Sequence, residues 1–364
     1  MIKILNVVGA RPNFMKIAPI QREMNRHQNL KPILVHTGQH YDERMSKLFF
    51  DDLEMPKPDI YLNVGSASHA VQTAKVMIEF EKIIIAEKPD LVIVVGDVNS
   101  TMACSIVATK LNVKVAHVEA GLRSFDREMP EEINRLVTDS ISDLLFVTEQ
   151  SGLDNLRNEG IADSKVHFVG HVMIDSLIHF AEKAKKSRIK NTLGVADNKY
   201  ILVTLHRPSN VDNKQNFVKL LNAFEVIEKE IKILFPIHPR SKKMISEFSL
   251  EKQIEKMKNL MLMEPLGYLD FMNLLHSSKF VLTDSGGIQE ETTYLGIPCL
   301  TMRENTERPV TIELGTNTLV GTDTELIISE ANKILTGENK SGQIPPLWDG
   351  KAAERIVEVL QHVH

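Results

Sequence analysis

Leu91-Val-Ile-Val-Val-Gly-Asp97 decides the fold class of this chain. Five branched apolar residues run without interruption, with Pro89-Asp90 before them and a glycine after. Such a run reads as a strand buried on both faces, which is the mark of a parallel sheet covered by helices. The preceding stretch supplies a helix over 71–88, with Val76, Ile83 and Ile84 on one face and Pro89 as its stop. Working outward, apolar runs at 2–8, 33–37, 113–118, 144–148 and 166–169 repeat the pattern, each separated by amphipathic spacing. After residue 170 the style begins again, at 200–205, 231–237, 280–283, 298–302 and 318–320. Strand–helix alternation on this scale predicts two doubly wound α/β domains, 1–170 and 171–350. The Gly/Pro-rich stretch 336–350 reads as a linker leading into a final helix, 351–364, that packs back on the first domain. Two such sheets facing one another place their strand carboxyl ends on a shared cleft, where ligands are expected.

Composition narrows the function. At 364 residues, two domains are the natural expectation. A net charge of −5 with interspersed signs argues against a nucleic-acid partner. Cys104 and Cys299 are far apart in apolar runs, so no disulfide framework or metal knuckle is expected, and a reducing, cytoplasmic compartment fits. The N-terminus enters a strand rather than a signal peptide, and no window is long and apolar enough to span a membrane. GxGxxG, GxxxxGK[ST] and HExxH are missing, so neither a nicotinamide cofactor, nor ATP hydrolysis, nor a metal is expected.

Four clusters carry chemistry. In Gly9-Ala-Arg-Pro-Asn-Phe-Met-Lys16 a strand end turns into a helix, and Arg11 and Lys16 stand near that helix N-terminus as an anion site or as solvated cations. Asp97, Glu119 and Glu131 sit at two strand ends and a helix start. Converging carboxylates do acid–base work, although Asp97 and Glu131 equally occupy positions where helix-capping acids are found. His206 ends another strand, either as a diphosphate donor or as a satisfied core histidine. The most specific cluster is Thr283-Asp-Ser285-Gly286-Gly287-Ile-Gln-Glu-Glu291, a strand–turn–helix unit whose backbone N–H groups suit phosphate oxygens. Arg303 and Arg308 follow one strand later.

GARPNFMK (9–16), TGQHYD (37–42), GDVNST (96–101), HVEAGLRS (117–124), MPEEINR (129–135), His206-Arg207, DSGGIQEE (284–291) and RENTERP (303–309) occur in the order of a known family. Over roughly residues 3–320 the chain resembles the non-hydrolysing UDP-N-acetylglucosamine 2-epimerases. The resemblance implies two Rossmann-like domains of the GT-B type, a UDP-sugar substrate, no cofactor and a homodimer. It implies reversible inversion at C2 by elimination and re-addition of UDP, for a surface polysaccharide precursor. Carried over by position, Asp97, Glu119 and Glu131 are the catalytic carboxylates, with Lys16 and His206 beside them. Arg11, Ser285, Gly286, Gly287 and Arg308 contact the nucleotide diphosphate, Glu291 the ribose, and Phe271 flanks the uracil. Two departures bear on an activating second nucleotide-sugar. Asp42 follows Gln39-His40-Tyr41 where the family commonly has a neutral Gln, and Pro208 replaces a cation after His206-Arg207. Activator dependence is therefore expected to be weak or absent. A related UDP-sugar (a diacetamido-uronic acid), a hydrolysing epimerase, a GT-B glycosyltransferase and a non-catalytic nucleotide-sugar binder are the alternatives.

Overall fold

The structure, a computed structural model, describes residues 1–38, 54 and 57–363. Gln39, His40, Tyr41 and Asp42 lie outside the described residues, as does the side chain of Arg11. The chain divides into two compact units, Met1–His179 with Pro346–His364, and Phe180–Pro345.

Among the described residues of the first unit, seven parallel strands form one sheet in the order β3-β2-β1-β4-β5-β6-β7. They are β1 (Ile2–Val8), β2 (Leu30–His36), β3 (Ile60–Tyr61), β4 (Leu91–Val95), β5 (Lys114–Ala120), β6 (Leu144–Val147) and β7 (Val166–Phe168). The run that opens the sequence is the central strand β4, and all five of its residues are buried. Its neighbours are β1, with Leu5 opposite Val92, and β5, with Val92 opposite Val115. The order reverses between β1 and β4, so the carboxyl ends of those strands border a crevice. The helix His69–Glu87 buries Gln72, Val76, Phe80 and Ile84, a strict four-residue stripe. Ile83 is only half-buried, one step off that stripe.

Six parallel strands among the described residues build the second unit, in the order β10-β9-β8-β11-β12-β13. These are β8 (Tyr200–Thr204), β9 (Lys232–Pro236), β10 (Leu260–Met263), β11 (Val281–Thr283), β12 (Cys299–Thr301) and β13 (Asn317–Leu319). Here the reversal falls between β8 and β11. Phe217, Phe224, Phe235 and Phe280 are fully buried in its larger core. Burying each contributes about 1.5–3 kcal/mol relative to exposure.

The sequence placed the turnover between units after residue 170. In the structure residues 171–179 stay with the first unit. Val172, Ile174 and Leu177 are buried, and the Ser176 hydroxyl donates to the Met15 carbonyl at 2.6 Å. Near the other end, Trp348 is buried and its indole N–H donates to the Thr148 carbonyl at 3.0 Å. The helix Ala352–Leu360 then packs on the helix Arg11–Met24. Its first amides, Ala352 and Ala353, donate to the buried Asp175 carboxylate at 3.2 and 2.7 Å.

Candidate active site

In the first unit the candidate groups gather at the carboxyl ends of β1, β4 and β5. Asn13 fixes the turn after β1: its side-chain oxygen accepts from the Gly9 and Ala10 amides, and its amide donates to the Val95 carbonyl at 3.1 Å. One turn further along the same helix, buried Lys16 pairs with Glu119. Gly96, with φ +66, lets the chain turn after β4 beneath the Lys16 ammonium. A Cβ there would stand 3.0 Å from Nζ.

Glu119 is held in an uncommon backbone state. Its φ is +76, at an irregularity of register between Val118 and Ala120 in the β5–β6 ladder. A left-handed conformation costs a residue of this kind about 1–2 kcal/mol, so the surroundings must enforce it. The carboxylate it carries is buried.

Asp97 is not a helix cap. The helix Asn99–Lys110 has Val98 at its N-cap and no side-chain cap bond. Instead the Asp97 carboxylate accepts from Arg135 at 2.5 Å, and its carbonyl accepts from Asn134 at 2.8 Å. Glu131 lies in the first turn of the helix Pro130–Ile141, half-buried, with no ion-pair or hydrogen-bond partner among the described residues. Its neighbour Glu132 is structural. It accepts from the Ser124 amide and hydroxyl, both at 2.9 Å, from the Phe125 amide at 3.0 Å, and from Arg135. Burial raises the Glu132 carboxyl, but these donors outweigh it and hold the group below its ordinary value.

Arg135 therefore links Asp97 to Glu132 and was not singled out from sequence. The signal was present: it follows Glu131 and Glu132 at four- and three-residue helix spacing.

In the second unit the switch point between β8 and β11 carries a second cluster. Asp284, at the end of β11, is fully buried and accepts from His206 Nδ1 at 2.9 Å. Its other oxygen accepts from the His206 and Arg207 amides and from Asn210. Burial raises this carboxyl, yet the His206 charge and these hydrogen bonds hold it below the ordinary range. His206 is thus neither free nor a core residue: Asp284 fixes one ring nitrogen, and the side chain is 36% exposed.

Ser285 is the N-cap residue of the helix Gly286–Leu295, and its hydroxyl makes no cap bond. Arg308, expected at the nucleotide diphosphate, is clasped by two carboxylates. Its guanidinium pairs with buried Glu290 and with Glu307. Arg303 also meets Glu307, at 2.8 Å. Any Cβ on Gly286 would stand 2.7 Å from Arg308 Nη1, so the missing side chain is what admits the guanidinium to this helix start. A cation beside a helix N-terminus is unfavourable by itself. Glu290 and Glu307 offset that repulsion and leave a place where an arriving anion meets a cation and helix amides together.

Glu291 is buried, and burial together with neighbouring Glu290 pushes its carboxyl up to about 8. Near neutral pH it therefore carries its proton and can donate as well as accept. Phe271, on the helix Tyr268–His276, is partly buried against the cluster that includes Tyr200 and Leu202.

With this geometry in view, comparison with known proteins is direct. The family model for UDP-N-acetylglucosamine 2-epimerase matches residues 22–361. The chain belongs to the UDP-N-acetylglucosamine 2-epimerase family. It is 46% identical over 364 residues to a UDP-N-acetylglucosamine 2-epimerase homolog of Methanococcus maripaludis, covering 100% of both chains. It is also 40% identical over 363 residues to UDP-2,3-diacetamido-2,3-dideoxy-D-glucuronate 2-epimerase of Pseudomonas aeruginosa, covering 99% of each. The solved Methanocaldococcus jannaschii UDP-GlcNAc 2-epimerase, in complex with UDP-GlcNAc and UDP, superposes with a TM-score of 0.93 at 42% identity, covering 99% of this chain and 100% of that one. Membership makes this epimerase-family chain an isomerase, and its two parallel sheets are the Rossmann-like pair of the GT-B type. Among the described residues no helix is long and apolar enough to cross a membrane.

Proposed function

We propose that the enzyme interconverts UDP-N-acetylglucosamine and UDP-N-acetylmannosamine by reversible inversion at C2. The observation that carries this reading is the buried Lys16–Glu119 pair beside Asp97–Arg135, carboxylates set with cations at the strand ends of a family whose relatives are named for this epimerisation. The C2 proton of a hexosamine is not acidic until the C1–O bond weakens. As that bond breaks, UDP departs with the electron pair and positive charge develops at C1. A carboxylate then takes the C2 proton and a C1=C2 double bond forms. Return of a proton to the opposite face of C2, with the UDP oxygen re-bonding to C1, completes the inversion. Asp97, Glu119 and Glu131 serve as the proton-transfer groups, assisted by Lys16. Arg308, His206 and the Ser285-Gly286-Gly287 helix start hold the diphosphate and stabilise its leaving charge. Arg11 belongs with those phosphate contacts, Glu291 takes the ribose and Phe271 flanks the uracil. A homodimer in the cytoplasm, supplying surface polysaccharide synthesis, fits this reading.

A second substrate is favoured by one observation, the 40% identity to the Pseudomonas aeruginosa enzyme named for a UDP-diacetamido-glucuronate. Proton NMR in D2O tests both readings. Incubation with UDP-N-acetylglucosamine is expected to give its C2 epimer with deuterium at C2 of both. Turnover of the diacetamido-uronic acid nucleotide alone would transfer the reading to that substrate. Release of free N-acetylmannosamine with UDP would make the enzyme a hydrolase instead.

A further inference from the structure

Behind the carboxylates of the first unit runs a buried polar chain that the proposed chemistry does not itself use. His117, two residues before Glu119, is fully buried and bonded at both ring nitrogens. Its Nδ1 lies 2.6 Å from Asp139 Oδ1 and its Nε2 lies 2.8 Å from the Gly96 carbonyl. A carbonyl only accepts, so Nε2 donates to it. Asp139 accepts at its other oxygen from the Gly121 amide at 3.0 Å and from Arg123 at 2.7 Å. The ring is locked between the Asp139 carboxyl and the Gly96 carbonyl. Arg123 is anchored in turn by two 2.7 Å bonds to Glu159.

The geometry of these bonds matters more than their number. Gly96 immediately precedes Asp97 in sequence. Gly121 lies two residues beyond Glu119, just past the irregularity that holds Glu119 at φ +76. Asp139 rides the helix Pro130–Ile141, whose first turn carries Glu131 and whose second carries Arg135. One histidine–aspartate pair thus ties together the three backbone segments that present Asp97, Glu119 and Glu131.

We infer that His117 and Asp139 are positioning residues for the epimerisation, fixing the relative placement of the three carboxylates without touching the substrate. This rests on the reading of Asp97, Glu119 and Glu131 as proton-transfer groups. Misplacement of reacting groups by about 1 Å costs on the order of 10²-fold in rate, whereas binding of the nucleotide by groups elsewhere is spared.

The test compares Asp139→Asn, His117→Gln, His117→Ala and Asp97→Asn in the full chain, with thermal melts and UDP titrations alongside. Asp139→Asn is expected to lower kcat about 10- to 100-fold, with KM and the UDP Kd within about threefold of wild type. His117→Gln keeps an amide donor where Nε2 stood, so it is expected to retain at least about tenfold more kcat than His117→Ala at a matched melting temperature. Wild-type kcat in Asp139→Asn and His117→Gln, with Asp97→Asn inactive, overturns the inference and leaves the proton-transfer reading standing. Wild-type kcat in Asp97→Asn overturns both. Failure of both conservative variants to fold also overturns it, because a purely structural role would then account for the pair.

Discussion

Proton-transfer chemistry can be tested one carboxylate at a time. Asp97→Asn, Glu119→Gln and Glu131→Gln are each expected to lower kcat by on the order of 10² or more, with UDP affinity little changed. Near-normal kcat in all three would reduce them to structural acids. As candidates they stand out in the sequence, because Asp97 and Glu119 lie at the ends of apolar strand runs and Glu131 opens a helix. Lys16 stands out with them, whereas Arg135, Glu132 and Asp139 read in sequence as ordinary charges on an amphipathic helix. Only the fold brings Arg135 onto Asp97, 38 residues away. Glu291 carries a pH signature. Its folded carboxyl is raised to about 8 from an ordinary value of 4.5, first by burial and then by Glu290. The folded state therefore holds a proton that the unfolded state has lost, and the resulting stability is full below about pH 4.5 and disappears as pH rises through about 8. Glu291→Gln has no such proton to lose. The melting temperature of the variant minus that of wild type is expected to increase steadily from pH 5 to 8.5, reaching the equivalent of a few kcal/mol, on the order set by the shift. A difference that stays flat across that range would refute this account.

At the scale of elements, the strand–turn–helix from β11 into Gly286–Leu295 shows how backbone and side chain divide the work. Gly286 admits the Arg308 guanidinium, which Glu290 and Glu307 then hold in place. Gly286→Ala would drive a methyl group to within 2.7 Å of that guanidinium, and the two carboxylates leave it little freedom to retreat. The expected result is a UDP Kd raised about tenfold, equivalent to roughly 1.4 kcal/mol, with the fold retained by circular dichroism. Unchanged affinity would remove Arg308 from the diphosphate site. Most strands were legible from their β-branched runs. Two were not, for different reasons. β3 is two residues long, too short for any periodicity, and β10 reads Leu-Met-Leu-Met, side chains without β-branching that favour helices over strands. Both are sheet-edge strands, so pairing with a single neighbour, not intrinsic propensity, defines them. The short helix Pro208–Val211 leaves no mark in the sequence, because four residues carry no helical repeat.

Across the whole molecule, the Gly/Pro-rich stretch before an amphipathic helix predicts that Trp348 and the final helix return to the first unit, but the groups that receive them are not visible in sequence. The stretch 336–350 reads as a polar linker, yet Trp348 within it is 1% exposed and hydrogen-bonded to the Thr148 carbonyl 200 residues away. Its ring also meets His171 edge-on, with centroids 5.1 Å apart. The boundary after residue 170 was misjudged for a related reason: the first residues of the helix Val172–Lys185 look like the start of a new domain, but Asp175 and Ser176 are bonded to the terminal helix and to Met15 of the first unit. These contacts make a defined prediction. Trp348 is the sole tryptophan of the chain, so its fluorescence reports this contact alone. Trp348→Ala removes a large buried side chain and leaves the Thr148 carbonyl without its donor, which is expected to cost about 3–5 kcal/mol. Since the proposed diphosphate contacts other than Arg11 come from the second unit, UDP affinity below the lowered melting temperature should stay within about twofold of wild type. Urea titration of the wild type by tryptophan emission, and of both chains by circular dichroism, measures the loss. A variant as stable as wild type would show that the aromatic contact fastens nothing, and a UDP affinity that falls in step with stability would show that nucleotide binding depends on the terminal segment.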